Sequence, residues 1–170
     1  MKRGPRGRRG LSLLETAMAT MIVGLAVLSM MKLVASVTTQ NVATQRITVG
    51  LMLANNIREM MAGLPYNDPA NGTHLGPDAG ETLASFNDVE DFNGLVANPP
   101  VDANRQPITE LANWKQQVTV THVSPSNYTL TDSLATDSAC TCDRISVTVS
   151  YQPPGGAWVT VVTTEWLKTK

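Results

Sequence analysis

Apolar residues are concentrated in one nearly uninterrupted block close to the N-terminus. Residues 11–31 read LSLLETAMATMIVGLAVLSMM, and Glu15 is the single charged residue among them. At about 1.5 Å per residue these positions would form a helix of about 30 Å, long enough to cross the hydrocarbon core of a bilayer. The pattern therefore predicts a membrane-spanning helix here.

The helical pattern continues beyond Lys32, but polar residues now separate the apolar ones. Apolar positions recur at intervals of three and four, which is typical of an amphipathic helix. They are Leu33, Val34, Val37, Val42, Ile47, Leu51, Ala54, Ile57, Met60 and Met61. Gly63, followed by Leu64 and Pro65, is a stop signal. We therefore predict one helix over about 11–62, with its apolar half (11–31) in the membrane and its amphipathic half (32–63) packed on a globular head.

The C-terminal part of the chain changes to a period of two, which is typical of β-strands. Residues 114–123 predict a strand, residues 128–130 a short one, and residues 144–167 a hairpin whose turn is 152–156. The inward face of the first strand would carry Trp114, Gln116, Val118, Val120 and His122, and that of the hairpin's first strand Ile145, Val147, Val149 and Tyr151. Residues 64–113 are rich in Pro, Gly, Asn and Asp and predict irregular structure. The predicted fold is α+β, with a small antiparallel sheet in a head formed by residues 64–170.

Charge is distributed very unevenly. The first ten residues contain five basic residues and no acid, whereas the other 160 residues contain eight basic and fourteen acidic residues, a formal charge of −6. A basic segment before a membrane helix is retained on the cytoplasmic side. An acidic body lacks the basic surface that phosphate binding needs, so no nucleic-acid partner is expected.

Several processing schemes are compatible with a basic head and an apolar helix. A secretory signal could be cut near Val34-Ala35-Ser36, although Lys32 precedes that site. Arg8-Arg9 could belong to a twin-arginine signal. The helix could also be an uncleaved anchor. None of these schemes gives Glu15 a role.

The sequence Gly10-Leu11-Ser12-Leu13-Leu14-Glu15 resembles the class III signal G-[FL]-[ST]-L-[ILV]-E of the type IV pilin superfamily. Six positions match in order, where a basic leader (1–10) meets an apolar run. The resemblance implies that prepilin peptidase cuts after Gly10 and that Leu11 becomes the methylated N-terminus. It also implies that Glu15 pairs with an N-terminal amine, its own or a neighbour's, and sets the register of assembly.

This resemblance implies a structural subunit, a minor pilin or minor pseudopilin of a type IV pilus or a type II secretion pseudopilus. Its partners would be prepilin peptidase, other pilins contacted through the N-terminal helix, and an inner-membrane assembly platform. The chain would cross the inner membrane once, with a cytoplasmic N-terminus and a periplasmic head, before it enters the filament. The alternative is a membrane-anchored periplasmic binding module that does not polymerise.

Two groups of residues in the head could carry chemistry. Cys140 and Cys142 could form a disulfide in an oxidising compartment, although a C-x-C ring is strained; free thiols, metal binding and intermolecular pairing stay open. Asp88, Glu90 and Asp91 could bind calcium through their oxygens, or form a solvated turn.

Other chemistry is not indicated by the sequence. His74 and His122 are too few and too far apart in the sequence to predict a zinc site. No nucleophile elbow, HExxH motif, phosphate loop or dinucleotide fingerprint occurs. We therefore expect a non-enzymatic protein without a cofactor or a resident metal.

Overall fold

A computed structural model of the chain describes residues 12–68, 75–124, 127–131 and 142–170. The leader 1–10, with the cleavage position Gly10, and Leu11 therefore lie outside the described residues.

The N-terminal helix begins at a serine cap. Helix α1 spans Leu13–Ala62. The amide of Glu15 donates to Ser12 Oγ over 3.3 Å, and the Ser12 carbonyl accepts from Glu15 and Thr16. Ser12 therefore caps α1, and the predicted long helix is confirmed from Leu13.

The chain divides into two compact units, Met1–Thr44 and Gln45–Lys170. Residues 45–62 of α1 belong to the second unit. We call this second unit, Gln45–Lys170, the head of the structure. Helix residues become buried only near the end of α1, at Gly50, Leu53, Ala54, Ile57, Met60 and Met61.

Within the head, the apolar stripe predicted for the helix is buried only in part. Leu33, Val34, Val37, Val42, Ile47 and Leu51 are exposed. A helical period shows which side of a helix is apolar, but it does not show which turns have a packing partner. In the head, only the last four turns pack into the core.

The head contains an antiparallel sheet built on three long strands: β2 (Trp114–Ser124), β4 (Cys142–Tyr151) and β5 (Val159–Thr169). Two short strands, β1 (Val96–Ala97) and β3 (Asn127–Thr131), both pair with β2. The order is β1-β2-β4-β5. The predicted strands and the C-terminal hairpin are confirmed, although the last strand covers 159–169 instead of 157–167.

The core lies between the end of α1 and one face of the sheet. Leu53, Ile57 and Met61 form one cluster with the inward residues of the strands, namely Trp114, Val118, Val120, Ile145, Val147 and Val149. Gly50 lets the helix approach β5 closely, because a Cβ at this position would lie 3.0 Å from Val162 Cγ1. The structure is thus a long helix packed through its last turns on an antiparallel sheet, as the α+β prediction stated.

The described parts of the connection from 64 to 113, residues 64–68 and 75–113, are mostly irregular, as predicted. Apart from β1, they include two 3₁₀ helices, Glu90–Phe92 and Thr109–Leu111. Phe92 is fully buried and packs edge-to-face on Phe86, with the ring centroids 5.2 Å apart. This aromatic pair holds the first 3₁₀ helix against the core.

Candidate functional site

The first candidate site is the start of α1. Glu15 lies in the first turn, where the helix dipole favours a negative charge, and it is exposed together with all other described residues up to Thr48. The Ser12-x-x-Glu15 spacing is also that of a capping box. Gly10 and Leu11 lie outside the described residues, so the predicted cleavage, methylation and pairing of Glu15 with an amine stay predictions.

The surface of α1 from Ala17 to Met31 carries no charge and is apolar on every side. The helix contains an 18-residue window with mean hydropathy 2.0, which is enough by length and composition to cross a membrane. Large apolar side chains are exposed along this stretch, from Leu13 at 88 % through Met21 at 70 % to Leu33 at 64 %. A helix without a polar face needs an apolar environment around its whole circumference.

The second candidate site is the acidic turn at Asp88, Glu90 and Asp91, all three of which are buried. The carboxylates of Asp88 and Asp91 accept hydrogen bonds from backbone amides of the turn. Asp88 Oδ1 accepts from the Asp91 amide at 3.0 Å, and Asp91 Oδ2 accepts from the Asn87 amide at 2.8 Å. Burial raises the pKa of Asp88 to about 6, and the neighbouring charge of Asp91 adds to this, whereas the hydrogen bond from the Asp91 amide opposes it. These two carboxylates act as turn-forming groups, and the calcium prediction stays a prediction.

Glu90 belongs to a different cluster from its two neighbours. Ligand atoms of Glu90, His122 and Asp143 lie within 4.8 Å of one another. The three residues come from three elements, since Glu90 begins the first 3₁₀ helix, His122 lies in β2 and Asp143 in β4. Glu90 and Asp143 are 0 % exposed and His122 is 5 % exposed. We call these three residues the buried triad.

Hydrogen bonds fix one oxygen of Asp143. Its Oδ1 lies 2.6 Å from His122 Nδ1 and accepts from the hydroxyl of Tyr66 over 2.9 Å. Tyr66, which follows α1 closely, is itself buried. The other oxygen, Oδ2, is fully buried and has no hydrogen-bond partner within the part of the chain that the structure describes. An imidazole and two carboxylates at this separation could hold a metal ion.

Sequence reasoning placed His122 correctly on the inward face of its strand but missed the triad. His122 and Asp143 are directly opposite each other in the β2–β4 ladder, although 21 residues separate them in the sequence. The available signal was His122 itself, the one ionisable residue in an inward row of otherwise uncharged side chains. The partner could be identified only from the register of the two strands.

Only one of the two cysteines, Cys142, lies among the described residues. Cys142 is buried, at 1 % exposure, at the start of β4. Cys140 lies outside the described residues, so the proposed Cys140–Cys142 disulfide stays a prediction, as do the alternatives to it.

The chain matches no protein-family model, and neither curated proteins nor solved structures give a match.

Proposed function

We propose that this chain is a structural subunit of a type IV pilin-like filament, a minor pilin or minor pseudopilin. The observation that supports this most is the stretch Leu13–Met31 of α1, whose exposed surface is apolar and interrupted by one charged residue, Glu15, in the first turn. The six-residue match from Gly10 to Glu15, at the boundary between a basic leader and this helix, agrees with it.

The helix surface suits two successive environments. In the membrane, lipid would cover the apolar side chains; in a filament, the corresponding helices of neighbouring subunits would cover them. Both environments remove the same side chains from water, so the helix can pass from one to the other at a small cost in hydrophobic free energy. The α+β head would then form the surface of the filament.

Glu15 has a specific role in this proposal. A carboxylate within an apolar span costs roughly a few kcal/mol to insert, and acids in such positions are usually functional. Cleavage after Gly10 would create a positive amine at Leu11, four residues before Glu15. The pairing of this amine with Glu15, in the same subunit or in the next one, would neutralise both charges and set the axial register of the subunits.

The proposed partners and location follow from the same elements. Prepilin peptidase would remove the leader 1–10 and methylate Leu11, and an inner-membrane platform would assemble the mature subunit with other pilins through α1. The five basic leader residues would keep the N-terminus in the cytoplasm, so the head would be periplasmic before assembly.

The intact mass of the full chain, extracted from membranes of a host with a prepilin peptidase, tests the processing step. We expect a loss of residues 1–10, with or without the gain of one methyl group. A peptidase-deficient strain is the control and should retain the leader. An unprocessed mass in both strains, or an N-terminus near Ser36 or Val37, would contradict the proposal.

A second readout from the same cells separates a filament subunit from a non-polymerising anchor. Glu15→Ala should still be cleaved but should be lost from the sheared filament fraction. Glu59→Ala is the matched control, because Glu59 is also an exposed acid of α1 and lies in the head; we expect normal incorporation. If the parent chain is processed and never reaches filaments, the anchored binding module is the better interpretation.

A further inference from the structure

The buried triad of the head has a donor set that suits a metal ion. Glu90, His122 and Asp143 present ligand atoms within 4.8 Å of one another, and all three residues are buried. We propose that the triad binds one divalent transition-metal ion of the zinc type. The site is independent of filament assembly, since its residues all belong to the head.

The charge of the triad favours a cation. With both carboxyl groups ionised, the triad would carry a charge of −2 beside a neutral imidazole and −1 beside a protonated one. Burying an uncompensated charge costs far more than burying a neutral group, and buried charges are therefore paired or bind metals. A divalent ion between two carboxylates and a neutral imidazole gives a sum of zero.

Asp143 provides an independent observation. Its Oδ2 is fully buried without a hydrogen-bond partner in the described part of the chain, and an unsatisfied buried acceptor costs about 1–3 kcal/mol. Its Oδ1 is held by the hydroxyl of Tyr66 and by His122. A ligand carboxylate with one oxygen oriented by hydrogen bonds and the other available for the ion is the usual arrangement of metal sites.

The mixture of donors determines the class of the ion. Calcium prefers six to eight oxygen ligands, whereas imidazole together with carboxylates suits zinc and its first-row neighbours. Zinc bonds to nitrogen and oxygen are about 2.0–2.2 Å long, so two ligand atoms of a tetrahedral site lie about 3.3–3.6 Å apart. The ligand atoms of the triad lie within 4.8 Å of one another, so binding requires them to approach by at most about 1.5 Å.

The site would join parts of the head that are distant in sequence. Glu90 belongs to the irregular connection, His122 to β2 and Asp143 to β4, and Tyr66 links the end of α1 to the same group. A bound ion would therefore stabilise the folded head as a whole, because the unfolded chain does not hold these ligands together.

The test uses the full chain in detergent, freed of metal by a chelator and titrated with Zn²⁺ alone. We expect one Zn²⁺ per chain by calorimetry and a rise in Tm of about 5 °C or more at a hundredfold excess over Kd. Ring-proton resonances of His122, assigned by comparison with His74→Gln because the chain has two histidines, should shift on binding in the wild-type chain. This last readout needs no folded variant of the triad.

Two variants and one control complete the test. Glu90→Gln and His122→Gln keep the side-chain size and should weaken Zn²⁺ binding at least about tenfold. Asp88→Asn is the matched control, because Asp88 lies in the same acidic turn but binds backbone amides, and its affinity should change less than about twofold. Absence of Zn²⁺ binding, tighter binding of Ca²⁺ than of Zn²⁺, unshifted His122 resonances, or equal effects of Glu90→Gln and Asp88→Asn would each overturn the proposal.

Discussion

Asp88 shows how a single residue of the acidic turn makes stability depend on pH. Its pKa is raised from an ordinary value of 3.8 to about 6 in the folded head, with burial as the main cause. At pH values between 3.8 and about 6, the Asp88 carboxyl group is therefore protonated more often in the folded chain than in the unfolded chain. The contribution of Asp88 to stability is therefore fully present below about pH 4 and is lost as the pH rises through 6.

Asp88→Asn should flatten this part of the pH profile. The amide oxygen of asparagine can still accept the hydrogen bond from Asp91, but it carries no charge, so above pH 6 the variant should be more stable than the parent by on the order of 2 kcal/mol. Urea unfolding of chelator-treated protein between pH 4 and 7.5 measures this. Asp102→Asn is the control, since Asp102 also accepts backbone amides in a turn. Equal changes in both variants would contradict the role of Asp88.

At the scale of elements, a buried glutamine of β2 connects the helix, the irregular connection and the sheet. Gln116 is 0 % exposed. Its Nε2 donates to the carbonyl of Leu53 in α1 at 2.8 Å and to that of Val101 at 3.1 Å, while its Oε1 accepts from the Val101 amide at 2.7 Å. One side chain thus satisfies polar backbone groups of two other elements in a place without access to water.

Gln116→Met should lower the free energy of unfolding by about 2–4 kcal/mol, because the buried amide and carbonyl of Val101 lose these hydrogen bonds. Chemical denaturation followed by circular dichroism measures the change. Gln117→Met is the matched control, since Gln117 is the next residue of β2 and is only partly buried; it should change stability by less than about 0.5 kcal/mol. A similar loss in both variants would mean that methionine itself destabilises β2. It would then contradict the role of the Gln116 hydrogen bonds in stability.

The elements themselves were largely predictable from local patterns. The alternation in 114–123 and 144–151 identified β2 and β4 and most of their buried residues, because a strand buries one face with period two. The start of α1 at Leu13 is explained by the cap of Ser12, a signal present in the sequence but used there only as part of the cleavage motif. Burial along α1 was overestimated, since it depends on which turns meet the core.

At the scale of the whole molecule, the chain is organised around a boundary inside a continuous helix. The boundary between the compact units, Met1–Thr44 and Gln45–Lys170, lies within α1. The end of α1 supplies core residues to the head, among them Leu53, Ile57 and Met61. The amphipathic pattern predicted that this part of the helix packs on the head, but it could not show the buried triad, because the triad depends on contacts between distant segments.

This boundary predicts which fragment of the chain folds. A fragment of residues 45–170 should be soluble and should unfold in one cooperative transition, because it retains the helix side of the core. A fragment of residues 64–170 should lack cooperative unfolding, since it loses Leu53, Ala54, Ile57, Met60 and Met61. Differential scanning calorimetry of both fragments measures this. Equal cooperativity would mean that the sheet and the connection form a core without α1.

The ladder between β2 and β4 has a further consequence for how the strands find each other. Valines follow one another on the inward faces, so a shift of two residues would still place apolar side chains opposite apolar side chains. The pairing of His122 with Asp143, next to Val120 with Ile145, disfavours the shift that sets Asp143 opposite Val120, because a buried carboxylate would then face a hydrocarbon neighbour. The polar end of the ladder thus favours the observed alignment over one that hydrophobicity alone would accept.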